Sequence, residues 1–123
     1  MIKRLNHASA EHQRKLNRAL KSGRNEVYAE LAQGRAALWQ LVTSKANLLF
    51  ITRREGSELV FVAIAGSGLF YAVNALLRFS KRTGAHTIRF HTRHPEKLEA
   101  LSKLPFKFAG RSGSESIYRM KLL

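Results

Sequence analysis

Cysteine and aspartate are both missing from this sequence of 123 residues, and proline occurs only twice. Without cysteine, the chain can form no disulfide and can use no thiolate as a nucleophile or metal ligand. Apolar runs are also short: none reaches the roughly 20 residues that span a bilayer, and no signal-peptide core follows Met1. We therefore expect a cytoplasmic protein with no membrane partner.

Negative charge is scarce as well. The chain carries 22 Lys and Arg residues but only 8 acidic ones, all glutamate, for a net charge of +14. Such an excess favours polyanionic partners such as nucleic acid. The basic residues extend from Lys3 to Lys121, which argues against a single flexible arm. A generally basic surface with non-specific, salt-sensitive binding is the simpler alternative. The length predicts one domain over residues 1–123.

The segment 57–85 organises the chain. Residues 60–65 are apolar without alternation and rich in β-branched side chains, which predicts a central strand covered on both faces. Gly66-Ser67-Gly68 interrupts this run, and from Leu69 the apolar residues recur at helical spacing until Gly84. A strand, a glycine turn and a helix N-terminus direct free N–H groups at one point, which favours phosphate. The alternative is that the glycines only permit a tight turn.

The rest of the sequence adds helices and strands on either side of this segment. Alternation and turn signals predict strands, and apolar stripes at helical spacing predict helices. Asn25 is the predicted N-cap of the second helix. The predicted strands are 1–5, 37–42, 46–51, 86–93, 106–109 and 116–122, and the predicted helices are 9–21, 25–34 and 94–105. The sequence therefore predicts a mixed α/β sheet in the order β-α-α-β-β-β-α-β-α-β-β.

This order resembles the GNAT family, the acetyl-CoA-dependent N-acetyltransferases, over nearly the whole chain. Four segments carry the resemblance: MIKRLNHASAEHQ, GSGLFYAVNALLRFSKRTGA, HTIRFHTRHPEKLEALSKLPFKFAG and SIYRMKL. The resemblance implies a GNAT-like fold and transfer of an acyl group from acetyl-CoA, or another acyl-CoA, to an amine. Because members of the family are often dimers, the resemblance also suggests that this protein forms a homodimer.

The same resemblance implies roles for particular residues. The strand residues Val62, Ile64 and Ala65 would lie along the pantetheine arm of the cofactor. The N–H groups of Gly66, Ser67, Gly68, Leu69 and Phe70 would surround its pyrophosphate. Glu58 would be the general base, with an exposed strand-end glutamate as the alternative. Apart from the resemblance, Tyr118 near the C-terminus is a candidate for a displaced general acid, with simple packing as the alternative.

Two positions depart from the family pattern. Ala63 stands where the family has Arg or Gln before its first glycine, and Leu101 stands where the family has its tyrosine general acid. Leucine cannot donate a proton to a leaving thiolate. These departures favour a second hypothesis, a catalytically inactive GNAT-derived scaffold that binds nucleic acid or a protein partner, such as a virion or nucleoid component.

A basic patch follows the central helix. Arg89, His91 and Arg93 alternate along a predicted strand and suit nucleic acid or the cofactor's phosphates, with a solvated strand face as the alternative. We predict no metal site, because alternation directs His86 and His91 to opposite strand faces. The leading hypothesis is an N-acyltransferase that acts on an amine of a polyanion-associated substrate, including DNA.

Overall fold

The computed structural model describes residues 1–20, 23–93 and 104–122. These residues form one sheet of seven strands, in the order β1-β2-β3-β4-β5-β7-β6, together with three helices. No helix in these ranges is long and apolar enough to span a membrane. In chain order the elements are β1 (Ile2–Leu5), α1 (Ala10–Ala19), α2 (Arg24–Ala32), β2 (Ala36–Val42), β3 (Asn47–Glu55), β4 (Glu58–Ser67), α3 (Leu69–Arg82), β5 (Thr87–Thr92), β6 (Lys107–Ser112) and β7 (Glu115–Lys121).

The predicted α/β class and the order of these elements are confirmed. The predicted last helix and Leu101 lie outside the described residues. All neighbouring strands are antiparallel except β4 and β5, which α3 connects in parallel. The predicted N-cap of α2 is wrong: Gly23 is the N-cap, so Asn25 lies inside the first turn. For α1, Ser9 is the N-cap, and its Oγ accepts a hydrogen bond from His12 N at 3.1 Å.

Two apolar clusters cover the two faces of the sheet. Leu48 and Phe50 of β3 pack with α3 in one cluster, whereas Leu49 and Ile51 pack with α1 and α2 in the other. Alternate residues of a strand face opposite ways, so β3 separates the clusters. The central strand β4 contributes to both clusters, which confirms the prediction that it is covered on both faces.

A β-bulge at Val62 interrupts β4. Phe61 is paired with Thr52 and Ala63 with Ile51, so Val62 is an extra residue opposite β3. Phe61 consequently packs in the α3 cluster and Ala63 in the opposite one, although residues two apart in a regular strand share a face. A bulge bends its strand. Pairing between β4 and β5 ends just before it, at Phe61 with Phe90, and the two strands separate from there.

The glycine turn differs from its prediction in one respect. Gly66 does not end the strand, because it is still paired with Leu48, and β4 continues to Ser67. Gly68 is the N-cap of α3 with a φ of 86°. A Cβ on Gly66 would overlap the carbonyl oxygen of Asn47, and one on Gly68 would lie 2.6 Å from Ala46 Cα. The close approach of the β2–β3 turn therefore requires both glycines.

Substitutions at two glycines distinguish the effect of this close approach from the effect of backbone strain. Gly84 has a φ of 80°, close to that of Gly68, but no atom lies within 4 Å of a Cβ added there. We expect Gly84→Ala to lower the free energy of unfolding by about 1 kcal/mol, the cost of a left-handed non-glycine residue. Gly68→Ala should cost at least about 2 kcal/mol more because of the overlap. Urea unfolding of both variants measures the difference, and equal losses would contradict the crowding at Gly68.

Candidate active-site groove

The space between the diverging strands β4 and β5 forms a cavity of about 390 Å³, which we call the wedge groove. One wall is the apolar face of α3, with Leu69, Val73 and Leu77, and the other wall is the edge of β4 from Phe61 to Ile64. Arg18 and Ala19 of α1 also line it. Because α3 and α1 cover opposite faces of the sheet, the groove reaches both faces. Among the described residues, no strand pairs with the β5-facing edge of β4 beyond Phe61.

The structure brings only some of the predicted cofactor residues to this groove. Val62, Ile64 and Leu69 line it. Ala65 packs instead beside the cluster under α1 and α2. Gly66 and Ser67 form the end of β4, which runs directly into the N-terminus of α3 through Gly68.

The N-terminus of α3 is a source of unpaired donors. The first N–H groups of a helix have no partner within the helix, and no side chain caps α3. Tyr71 N is paired, since it donates a hydrogen bond to Gly68 O at 3.0 Å. The side chains of Phe70 and Tyr71 are exposed, and Lys45 Nζ lies 5.1 Å from the centre of the Tyr71 ring. The helix end and this lysine together favour an anion at the turn.

Glu58, the predicted general base, lies at the opposite end of β4, about 30 Å from Ser67 along the strand. Its carboxylate accepts hydrogen bonds from Arg119 Nε at 2.6 Å, Thr87 Oγ1 at 2.9 Å and Arg89 Nη1 at 3.0 Å. Burial by itself raises the pKa of Glu58. The hydrogen bonds from Arg119 and Thr87 and the charges of Arg119 and Arg89 outweigh burial and hold that pKa below its ordinary value.

These contacts belong to a longer chain of ion pairs. Arg89 also pairs with Glu55, at 3.0 Å, and Arg53 pairs with both Glu55 and Glu30. Three arginines thus alternate with three glutamates in a series that runs from α2 across the sheet to β7. The contacts are Glu30–Arg53, Arg53–Glu55, Glu55–Arg89, Arg89–Glu58 and Glu58–Arg119.

This ion-pair chain bears on two predicted roles. A carboxylate held ionised by two guanidinium groups is a weak proton acceptor, and Glu58 does not line the wedge groove. The geometry therefore argues against Glu58 as the general base, and that role stays a prediction. Arg89 likewise forms ion pairs with glutamates, and only 16% of its side chain is exposed. Of the predicted nucleic-acid patch of Arg89, His91 and Arg93, Arg89 is therefore not a free cation.

Tyr118 lies in an aromatic stack. Its ring is 5.5 Å from that of Phe90 and 5.8 Å from that of Phe108, and Phe90 also packs against Phe106 at 4.9 Å. Phe90 and Phe106 line the wedge groove, whereas Tyr118 does not. The stack favours the packing alternative for Tyr118, and its role as a general acid stays a prediction.

Polar side chains line the groove at the end of β5. His91 and Arg93 line it, together with Glu115 of β7 and Arg18 of α1. His91 Nδ1 lies 3.6 Å from Glu115 Oε1. Sequence reasoning missed both Glu115 and Arg18, because neither belongs to a local motif that points to the groove. In the described ranges, no three side chains of the metal-ligating types cluster together.

The second prediction concerns the ion pairs of Glu58. Because the folded-state pKa of Glu58 is lowered, its stabilisation is fully present above the ordinary glutamate pKa and is lost as the pH falls through the folded value. Glu58→Gln should therefore lower the free energy of unfolding by about 1–3 kcal/mol at pH 7, and the difference from wild type should shrink in acid. Urea unfolding across this pH range measures it.

Glu11→Gln is the matched control. Glu11 forms only an exposed pair with Lys15 at 4.0 Å, so its loss should cost less than about 1 kcal/mol. A difference between Glu58→Gln and wild type that stays constant from neutral to acid pH would contradict the ion-pair account.

No family model matches the sequence, and no curated protein matches it. Solved structures do match. An acetyltransferase from Bacillus subtilis in complex with CoA has a TM-score of 0.76 at 16% identity, over 99% of this chain and 98% of that one. The ribosomal-protein-S18-alanine N-acetyltransferase from Escherichia coli has a TM-score of 0.67 at 14% identity, over 99% of this chain and 93% of that one. PaiA N-acetyltransferase from Thermoplasma acidophilum, in complex with coenzyme A, has a TM-score of 0.57 at 11% identity, over 98% and 99%. The chain therefore has the fold of the GNAT acetyltransferases, as the sequence resemblance predicted.

Proposed function

We propose that the protein is an acyl-CoA-dependent N-acyltransferase that binds acetyl-CoA, or another acyl-CoA, in the wedge groove. The observation that carries this proposal is the separation of β4 from β5 at the Val62 bulge. It leaves a groove that leads from the uncapped N-terminus of α3 to an unpaired strand edge. Two proteins of the same fold were solved with CoA bound, which supports this choice of ligand.

The lining of the groove fits the pantetheine arm. Pantetheine is an extended chain with two amide groups, and an exposed strand edge binds such a chain through its own N–H and C=O groups. The edge of β4, with which no described strand pairs beyond Phe61, offers these groups from Val62 onward. Val73 and Leu77 of α3 provide apolar contact from the side. These backbone groups do not depend on the side chain at position 63, so alanine there is compatible with the proposal.

The turn at the end of β4 fits the pyrophosphate. Unpaired N–H groups at the start of α3 and the positive end of its dipole favour a doubly charged phosphate group. Lys45 adds a positive charge close to Tyr71 in the first turn. The backbone from Gly66 to Phe70 would thus hold the phosphates.

Acyl-CoA supplies a thioester whose carbonyl carbon the acceptor amine attacks. For this reaction the chain has to align the thioester, keep water away and remove a proton from the amine. The β4 edge provides alignment, and the apolar face of α3 excludes water from one side. The acceptor would enter at the end of the groove that Arg18 of α1 lines.

The charge distribution supports an acceptor amine that belongs to a polyanion, such as DNA. The three glutamates of the ion-pair chain are neutralised by three arginines, so the excess of positive charge lies elsewhere. Arg18 and Arg93 line the groove, and neither has a carboxylate of a described residue within salt-bridge distance. They would attract a phosphate next to the reacting amine.

The third prediction tests the phosphate turn without disturbing its glycines. Ser67 is exposed immediately before the N-cap of α3, where an acidic side chain is compatible with the helix dipole. Ser67→Glu should weaken acetyl-CoA binding about tenfold or more, because one added negative charge beside the pyrophosphate costs roughly 1.4 kcal/mol. Isothermal titration calorimetry at physiological salt measures the dissociation constant.

Ser57→Glu is the matched control, because Ser57 is an exposed turn residue at the far end of β4 and the substitution changes the net charge equally. We expect it to leave the affinity for acetyl-CoA almost unchanged. Equal weakening by both substitutions would mean that acetyl-CoA binds only through the general positive charge. No binding by the wild type would remove the basis of the proposed function.

The fourth prediction tests the polyanionic acceptor. Arg93→Gln should weaken binding to a fluorescent DNA duplex severalfold and lower the slope of log affinity against log salt by about 1. Arg82 of α3 is also exposed but does not line the groove, so Arg82→Gln should have a smaller effect. Fluorescence anisotropy at several salt concentrations gives both quantities. Equal effects of the two substitutions would argue that DNA binds away from the groove. An affinity for DNA that is the same with and without acetyl-CoA would argue the same.

A further inference from the structure

Acyl transfer to an amine requires a group that takes the ammonium proton, and the wedge groove offers few. The chain has no aspartate and only eight acidic residues. Among the glutamates that the structure describes, only Glu115 lines the groove. The others are exposed on α1 or α2 or belong to the ion-pair chain: Glu11, Glu26, Glu30, Glu55 and Glu58. His91 is the only described histidine in the lining.

His91 lies at the point where β4 and β5 separate. It follows Phe90, which forms the last pair between β5 and β4, just as Val62 follows Phe61 on the other strand. His91 is also paired with Ile117 of β7, so its backbone is fixed within the sheet. A thioester held along β4 from Val62 would therefore lie beside this side chain.

The two ring nitrogens of His91 have different surroundings. Nδ1 lies 3.6 Å from the carboxylate of Glu115. Nε2 is buried without a hydrogen-bond partner, and Arg89 Nε, on the same face of β5, is the other such atom among the described side chains. Buried polar atoms in native proteins almost always have a partner, which can be a bound water or ligand. An orphan imidazole nitrogen in a groove-lining residue is suited to receive a proton, directly or through one water.

We propose that His91 is the catalytic proton acceptor of the acyl transfer, an inference that rests on the proposed function. The imidazole takes one proton from the acceptor ammonium, and the resulting amine attacks the thioester carbonyl carbon. A C–N bond forms and the C–S bond breaks, and the second proton that the nitrogen loses passes, directly or through water, to the departing CoA thiolate, which leaves as the thiol. The imidazolium then returns its proton to solvent. The carboxylate of Glu115, 40% exposed, lies beside the positive charge that forms on the ring.

The test uses bromoacetyl-CoA, so it does not require the acceptor to be known. A ring nitrogen beside the acyl position displaces bromide from this reagent and forms a stable N–C bond. Trypsin cleaves after Arg89 and Arg93 and releases a peptide of residues 90–93, in which His91 is the only histidine. Mass spectrometry of this peptide reports the modification. We expect His91 to be labelled in wild type and in Glu58→Gln, and excess acetyl-CoA to suppress the label in proportion to its occupancy.

Calorimetry with acetyl-CoA accompanies the labelling, so that two kinds of failure are distinguished. The His91→Gln variant should bind acetyl-CoA like wild type and lose the label. Acetyl-CoA binding with the label on Tyr118, on Glu58 or on no residue of the groove would overturn the role of His91 and leave the proposed function standing. Label on His91 that acetyl-CoA does not suppress would also overturn it. If wild type binds no acetyl-CoA, the role falls together with the proposed function.

Discussion

The bulge at Val62 separates two strands that would otherwise continue as neighbours. One extra residue in β4 places Phe61 and Ala63 on opposite faces of the sheet. Such a bulge bends its strand, and it lies at the point where pairing with β5 ends. The unpaired edge of β4 and the cavity beside it both depend on this bend. A sheet without the bulge would extend the parallel ladder and fill the same space with hydrogen bonds between β4 and β5. The groove therefore exists because the ladder is interrupted inside the sheet.

The close approach at the end of β4 complements the bulge. The β2–β3 turn lies so near Gly66 and Gly68 that no Cβ fits at either position. This contact fixes the place where β4 passes into α3, and so the point at which the first N–H groups of the helix are presented. The glycines thus have a packing role whether or not a phosphate binds. The uncapped helix end beside the groove is what gives the turn a capacity for anions.

Four of the described glutamates fall into two groups. Glu30, Glu55 and Glu58 neutralise arginines across one face of the sheet, whereas Glu115 lies beside His91 in the groove. In a protein without aspartate, this separation leaves one described carboxylate in the groove and a positive surface around it. The arrangement is consistent with a site that attracts anions and still provides groups able to accept a proton.

The sequence by itself determined most of the fold, because each element carries a local signal. The apolar run of β4, the helical spacing after Gly68 and the alternation of β5 are properties of neighbouring residues, and their order suffices for the GNAT resemblance. Only the tertiary structure decided what Glu58, Arg89 and His91 contact. Their partners are residues distant in sequence, from Glu55 to Arg119, which pairing between strands brings together. Local spacing contains no information on such pairs, and a bulge of one residue changes which side chains share a face.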